Sequence, residues 1–227
     1  MKVLIAVSGH GKFNDGHKET GYWLGEVAHF VHTIAPAGMD FDFVSPARGE
    51  LPIDPRSLRM SDARDRAFLA NKDWKARLDA HLTPDAVDPD DYDAIYYAGG
   101  HGAMWDLADD IVLRSKAEAI YARGGLVSAV CHGSAGLLGL RRPDGQYLVA
   151  GQPVTGFSNL EEGLVFLTRA VPYLLEDELK KRGGQYRSRF PYRPHVEWGD
   201  RLLTGQNPQS TTLLAQELVR HYAPVTA

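Results

Sequence analysis

The stretch Leu126-Val127-Ser128-Ala129-Val130-Cys131-His132-Gly133-Ser134-Ala135-Gly136 is an apolar, strand-like run that stops at the only cysteine of the chain and passes at once into small residues. A side chain on such a strand-to-helix turn projects from the end of a sheet. Small neighbours admit the tight backbone, and the N–H groups that open a following helix favour a thiolate. This is the pattern of a nucleophile elbow. A structural cysteine is the plain alternative, because free Cys is among the most often buried residue types. The flanking His132-Gly133 and the upstream Gly99-Gly100-His101-Gly102 favour the nucleophile.

Outward from the elbow, apolar runs of strand length alternate with segments of helical period, the mark of βαβ units around a mainly parallel sheet. Strands are expected at Val3–Val7, Phe41–Ser45, Ala94–Ala98 and Leu126–Val130, near Val196, and at Leu202–Thr204. The periodicity predicts helices from Tyr22 to about Ala37, with Gly38 as the C-cap glycine, over Ile111–Arg123, and over Ser210–Tyr222. Tyr147–Val149 and Pro153–Thr155 suggest a short hairpin or edge pair, and a helix is expected from about Glu161 into Glu176–Lys181. The Pro- and Asp-rich section at about 48–90, with helical pieces at Arg64–Ala70 and Asp73–His81, suggests an excursion that forms a lid or pocket wall.

With 227 residues the chain fits one α/β domain over 1–227 rather than two small ones. A formal charge of −4 and the lack of any basic run argue against nucleic acid as a partner. One cysteine rules out an internal disulfide and a thiolate-rich zinc site, and points to a reducing compartment. The apolar run Val3–Val7 is too short for a signal-peptide core or a membrane span, so the expectation is a cytoplasmic protein without membrane contact.

Open α/β sheets place ligands at the carboxyl ends of their strands. Three glycine-rich turns compete for that crevice: Ser8-Gly9-His10-Gly11, Gly99-Gly100-His101-Gly102 and Cys131-His132-Gly133. None is a dinucleotide or phosphate fingerprint. Their glycines suit close backbone approach to a reacting oxygen, as in an oxyanion hole built from the N–H groups of Gly100 and His132, although tight-turn chemistry alone explains any single one.

The ordered set of motifs resembles the ThiJ/PfpI superfamily, and more narrowly its branch of stress-response chaperones and glyoxalase III enzymes, over nearly the whole chain. It comprises Thr20-Gly21 leading to Glu26, Asp42-Phe43-Val44-Ser45-Pro46, Asp54-Pro55-Arg56-Ser57, Asp91-Tyr92-Asp93 before the Gly99–Gly102 run, Ala129–Gly133, Thr155-Gly156-Phe157 with Glu161-Glu162, and Leu203–Pro208. The resemblance implies a flavodoxin-like sandwich, with helices on both faces of the sheet and the nucleophile elbow at Cys131. It implies Cys131 as nucleophile, His132 as its base, Glu162 as the carboxylate orienting that histidine, and Glu26 in contact with the sulfur. It also implies a homodimer and a cofactor-independent lyase that turns a small 2-oxoaldehyde such as methylglyoxal into lactate through a hemithioacetal and an enediolate. Holdase chaperone and protein deglycase activities belong to the same superfamily.

Like-charge repulsion beside a thiolate predicts that Glu26 is protonated and donates to the sulfur. Read without the resemblance, Glu26 is a solvent-facing helix residue, and Glu161-Glu162 is an acidic first turn in which spacing does not say which glutamate orients His132. His101, Tyr22, Trp23 and Trp105 are candidates for pocket walls. His29 and His32 read as a solvated helix face, and no metal is assigned. His195-x-Glu197 supplies the distal pair that a glutaminase-type amide hydrolase uses to complete its triad; that reading and a peptidase remain as alternatives.

Overall fold

The computed structural model describes residues 1–14 and 16–222; within the expected 1–227 domain, Asp15 and residues 223–227 lie outside the described residues. The strands are β1 (Lys2–Ala6), β2 (Asp40–Val44), β3 (Ala94–Tyr97), β4 (Leu126–Val130), β5 (Pro153–Val154), β6 (Gln185–Tyr186), β7 (Val196–Trp198) and β8 (Leu202–Gly205). The α-helices are α1 (Leu24–Ile34), α2 (Pro55–Arg59), α3 (Ala63–Ala70), α4 (Lys72–Asp79), α5 (Ile111–Ala122), α6 (Asn159–Leu164), α7 (Leu175–Lys181) and α8 (Thr211–Tyr222).

Six strands form one sheet in the order β2-β1-β3-β4-β8-β7, parallel except for β7, which runs antiparallel to β8. β3 and β4 are buried at every residue, as expected of central parallel strands covered on both sides. The β1-α1-β2 and β3-α5-β4 crossovers travel in opposite directions along the sheet. With right-handed connections, that places α1 and α5 on opposite faces and makes the carboxyl ends of β1 and β3 the switch point. α1 packs on α8 and α3, and its Phe30 ring stacks on Tyr96 of β3 at 3.7 Å between centroids.

Several boundaries differ from the sequence reading. α1 ends at Ile34, and Ala35–Ala37 tightens into a 3-10 turn because Pro36 cannot continue the ladder. Gly38 then takes the left-handed position at φ +76°. The expected pairing of Tyr147–Val149 with Pro153–Thr155 does not form. Pro153–Val154 pairs in parallel with Gln185–Tyr186, a strand of two residues with too little periodicity to be read, while Tyr147 makes one bridge to Arg141. The single helix expected from Glu161 to Lys181 is two helices, α6 and α7, separated by a segment with Phe166 at φ +58°. Helix α2 was not anticipated, although Asp54 as N-cap and Pro55 at its first position are a start signal. Beyond Cys131 the chain runs as 3-10 turns over Cys131–Leu137 instead of an α-helix.

The excursion is stitched to the sheet rather than separate from it. Leu82 N–H donates to the Phe43 carbonyl and Ser45 N–H to the Leu82 carbonyl at the β2 edge, and Arg77 reaches the Asp40 carboxylate and the Phe41 carbonyl. Phe30 is fully buried against Tyr96. Phe30→Ala is expected to cost about 3–5 kcal/mol, read by urea unfolding at unchanged m. A cost under about 1 kcal/mol would show that the stack does not anchor α1.

Candidate active site

Cys131 ends β4 in a left-handed conformation at φ +55°, a strained position for a side chain that bears a Cβ. Gly99, at the end of the neighbouring β3, makes this possible. A Cβ there would stand 2.4 Å from Glu26 Oε2, 2.7 Å from the Val130 carbonyl and 2.9 Å from Gly133 N, so only glycine lets the elbow and the Glu26 carboxyl meet. Cys131 borders a cavity of about 430 Å³. Trp23 from the start of α1, Arg56, Arg59 and Met60 from the excursion, and His101, His132 and Phe157 line its walls together with Val165, Tyr192, Pro208 and Gln209.

His132 is 1% exposed; its Nδ1 lies 3.4 Å from Cys131 Sγ and its Nε2 2.7 Å from Glu162 Oε2. With Nε2–H donating to the carboxylate, Nδ1 presents a lone pair to the thiol, the tautomer a base requires. The other Glu162 oxygen accepts from His101 Nε2 at 3.0 Å, and the two imidazoles lie 3.8 Å apart. His101 Nδ1 in turn accepts from the Arg56 guanidinium at 3.0 Å, and Arg56 is anchored by two further bonds to the buried Asp54 carboxylate. Burial would raise the Glu162 pKa, but the charge His132 carries when protonated and the hydrogen bonds from both histidines outweigh it and hold this carboxyl well below the usual range. Burial and the neighbouring His132 push His101 down to about 4, so it is neutral at pH 7.

Glu26 is fully buried, not solvent-facing. Its Oε2 accepts from Gly99 N–H at 2.6 Å, while its Oε1 has no nitrogen or oxygen partner and the side chain interacts with the Cys131 thiol. Burial raises its pKa to about 8, so it carries its proton at neutral pH. The sulfur receives the backbone N–H of His132. Burial, reinforced by Glu26 when ionised, nevertheless pushes the thiol well above its ordinary value, in contrast to the dipole-stabilised thiolate suggested by an α-helical elbow.

The adjacent glutamates divide into two functions. Glu162 faces the histidines, whereas Glu161 completes the capping box with Ser158 and accepts from Tyr192 N–H, Gln206 Nε2 and Asn207 Nδ2. It thereby ties the segment carrying Tyr192 to α6. Of the expected wall residues, His101 and Trp23 line the cavity and two others do not. Tyr22 is turned into the core, 1% exposed, and Trp105 stacks on His10 and donates to Asn14. Gly100 packs against the Gly21–Trp23 backbone at φ +103° and does not line the cavity, whereas the backbone N–H of His132 is directed at the sulfur. Arg56, missed in the sequence reading, had a signal in the Asp54-Pro55-Arg56 start of α2. His195 and Glu197 do come together, at 3.0 Å, but His195 borders a different hollow with Arg189, Phe190 and Arg193. The Ser8-Gly9-His10 turn is held by Asp106 and lines no part of the cavity. His101, His132 and Glu162 bring three potential metal-ligating atoms within 4.8 Å of one another, all engaged in the hydrogen bonds described.

The chain is 33% identical over 221 residues to a Saccharomyces cerevisiae protein named glutathione-independent glyoxalase HSP31, covering 92% of each. Among solved structures it is similar to the Francisella tularensis Rapid Encystment Protein 24 KDa, at 37% identity and a TM-score of 0.92 over 96% of this chain and 97% of that one. It is likewise similar to glyoxalase III from Candida albicans, at 27% identity and a TM-score of 0.88 over 97% and 96% of the two chains. The profile of the DJ-1/PfpI family matches residues 24–221, and with this sheet order and elbow the chain belongs to that family.

Proposed function

We propose that the protein is a glutathione-independent glyoxalase of the glyoxalase III type that converts a 2-oxoaldehyde such as methylglyoxal into lactate. The carrying observation is a single buried sulfur that meets both a histidine fixed by Glu162 and a carboxyl that keeps its proton at pH 7. The S. cerevisiae and C. albicans relatives, named as glyoxalases, support the reading. In this mechanism the Cys131 proton passes to His132 Nδ1 as sulfur adds to the aldehyde carbon, giving a hemithioacetal. His132 N–H binds the developing oxyanion. His132 returns the thiol proton to the oxyanion and, as the free base again, removes the C–H proton of the former aldehyde; the resulting enediolate is reprotonated at the adjacent carbon by the imidazolium, while Glu26 keeps its proton. That leaves a lactoyl thioester, which water hydrolyses to release lactate and the thiol. Glu162 holds the base in its tautomer, and His101 binds Glu162 from the cavity side. The route takes place in the cytoplasm and needs neither metal nor redox cofactor.

One observation supports a second, chaperone-like reading. Leu160 and Leu164 of α6, Phe166 at 90% exposure and Phe190 at 78% are large apolar side chains exposed outside the excursion, and the Glu161 contacts bring the Phe190–Tyr192 segment to α6. These side chains suit either a holdase client or the second copy of a homodimer.

The deciding assay is D/L-resolved lactate production from methylglyoxal without glutathione. Cys131→Ser is expected to lose at least about 10³-fold and Glu26→Gln about 10²-fold in kcat, while His195→Ala stays within about twofold of wild type. No lactate from folded wild type overturns the glyoxalase reading, and an inactive His195→Ala restores the distal triad. Because the Glu26 proton is present below its pKa of about 8 and lost above it, lactate formation should fall through that pH. The apparent value belongs to the Glu26–Cys131 pair, and Glu26→Gln should abolish the limb; activity that climbs through pH 8 would assign the limiting proton to the thiol instead. The glutamate pair should separate by readout. Glu162→Gln is expected to lower kcat by about 10²–10⁴ with little change in Tm. Glu161→Ala strands buried donors and should cost on the order of 3–5 kcal/mol of stability. Equal thermal losses in both would refute the division.

A further inference from the structure

α1 delivers Glu26 to the thiol and, one turn later, His29 to the start of α3. His29 Nε2 lies 3.1 Å from Asp62 Oδ2 and 3.4 Å from Asp65 Oδ1. His29 is thus only partly exposed, not on the solvated face expected with His32, which bonds the Arg64 carbonyl and meets Trp74 edge-on. Asp65 is 5% exposed, and neither its Oδ1 nor His29 Nε2 has a hydrogen-bond partner among the described residues. The remaining oxygens are committed to the capping box of α3. Asp62 Oδ1 accepts from the N–H groups of Arg64 and Asp65, and Asp65 Oδ2 from that of Asp62. The box therefore aims one free oxygen of each aspartate at the imidazole.

An ion pair satisfies this arrangement poorly. The imidazole N–H has hydrogen-bond geometry to neither carboxylate, which leaves a buried acceptor unpaired. A small divalent cation is the alternative partner for these atoms. With bonds of about 2.0–2.2 Å, two ligands on one ion stand roughly 2.8–3.6 Å apart between right-angle and tetrahedral geometry, and both measured N···O separations fall in that range. All three donor atoms lie within 4.8 Å of one another. A neutral imidazole and two carboxylates balance a charge of +2, and backbone N–H groups already orient both carboxylates from behind. The hollow in front, about 640 Å³ and bordered by Trp23, Ser57 and Met60, leaves space for water ligands. In the catalytic set, by contrast, both Glu162 oxygens are already taken, one by His101 Nε2 and the other by His132 Nε2.

We propose that His29, Asp62 and Asp65 form a binding site for a divalent first-row cation. The donor set suits Zn²⁺, which ranks above Mn²⁺ and Fe²⁺ in affinity for such ligands. The ion ties the start of α3 to α1, and because Trp23 and Met60 border both this hollow and the catalytic cavity, it stiffens a shared wall.

The test uses the full chain carrying Cys131→Ser, which removes the thiolate as a competing ligand. Zn²⁺ is titrated by calorimetry and by thermal unfolding, alongside the same chain with His29→Ala or Asp62→Asn. The expected result is one Zn²⁺ per chain and a Tm rise on the order of 5 °C at about a hundredfold excess over Kd. Both variants should weaken binding at least about tenfold. Asp62 is half-exposed and Asn preserves its cap, so that variant decides the matter if His29→Ala does not fold. Zn²⁺ binding unchanged in Asp62→Asn places the ion elsewhere and overturns the proposal. Absence of binding in the parent overturns it too and leaves His29 as an ion-pair clamp.

Discussion

One buried carboxylate, Glu162, is held by two imidazoles at once, and much of the site's outer architecture follows from that. The two rings lie 3.8 Å apart, too close for both to carry charge in a buried setting, so His101 stays neutral and must find a donor for its Nδ1. Arg56 is that donor, and a guanidinium at this depth needs its own counter-ion. Asp54 supplies it while accepting from Thr20 and capping α2. The excursion is therefore part of the electrostatics of the site. Its Asp54-Pro55-Arg56 corner ends a chain of pairings that begins at the sulfur.

The second constraint is steric. A cysteine at φ +55° needs surroundings that over-determine its backbone, and the neighbouring strand end provides them. Gly99 lets the Val130 carbonyl, the Gly133 amide and the Glu26 carboxyl crowd into a space where a methyl group does not fit. Parallel strands β3 and β4 fix this meeting point because both are buried along their whole length. The proposed chemistry thus sits on buried strand ends, while the facing cavity wall is built from the excursion and from the segment pinned by Glu161.

The parts legible in the sequence were those written in local pattern. The alternation of apolar runs announced the parallel sheet, and the stop at Cys131-His132-Gly133 marked the elbow. Pairings made at long range left no such trace. β5 and β6 are two residues each and exist only because they pair with one another. The break between α6 and α7 rests on a left-handed Phe166 that periodicity does not encode. Tyr22 and Trp105 look like pocket aromatics in one dimension; only the folded chain shows that Trp23 faces the cavity while Tyr22 turns inward. Between Glu161 and Glu162, spacing is silent, because both lie in the first turn of a short helix and the choice depends on which strand ends each one meets.

Burial of the thiol gives this site a different logic from an exposed, dipole-activated cysteine. Desolvation raises the pKa of both Cys131 and Glu26, so the resting pair holds its protons. A standing thiolate in the same pocket would repel ionised Glu26 and lack solvation. The arrangement therefore suits proton transfer on demand: in the proposed mechanism His132 Nδ1 would take the thiol proton only as carbon–sulfur bond formation consumes the developing charge, and the Glu162 carboxylate would stabilise the imidazolium that results. Glu26, keeping its proton, can hydrogen-bond to sulfur without adding negative charge beside it. On this account the cost of burying four titratable groups at the floor of one cavity is offset by their mutual pairing, and the protonation states that pairing imposes are those a cysteine hemithioacetal route requires.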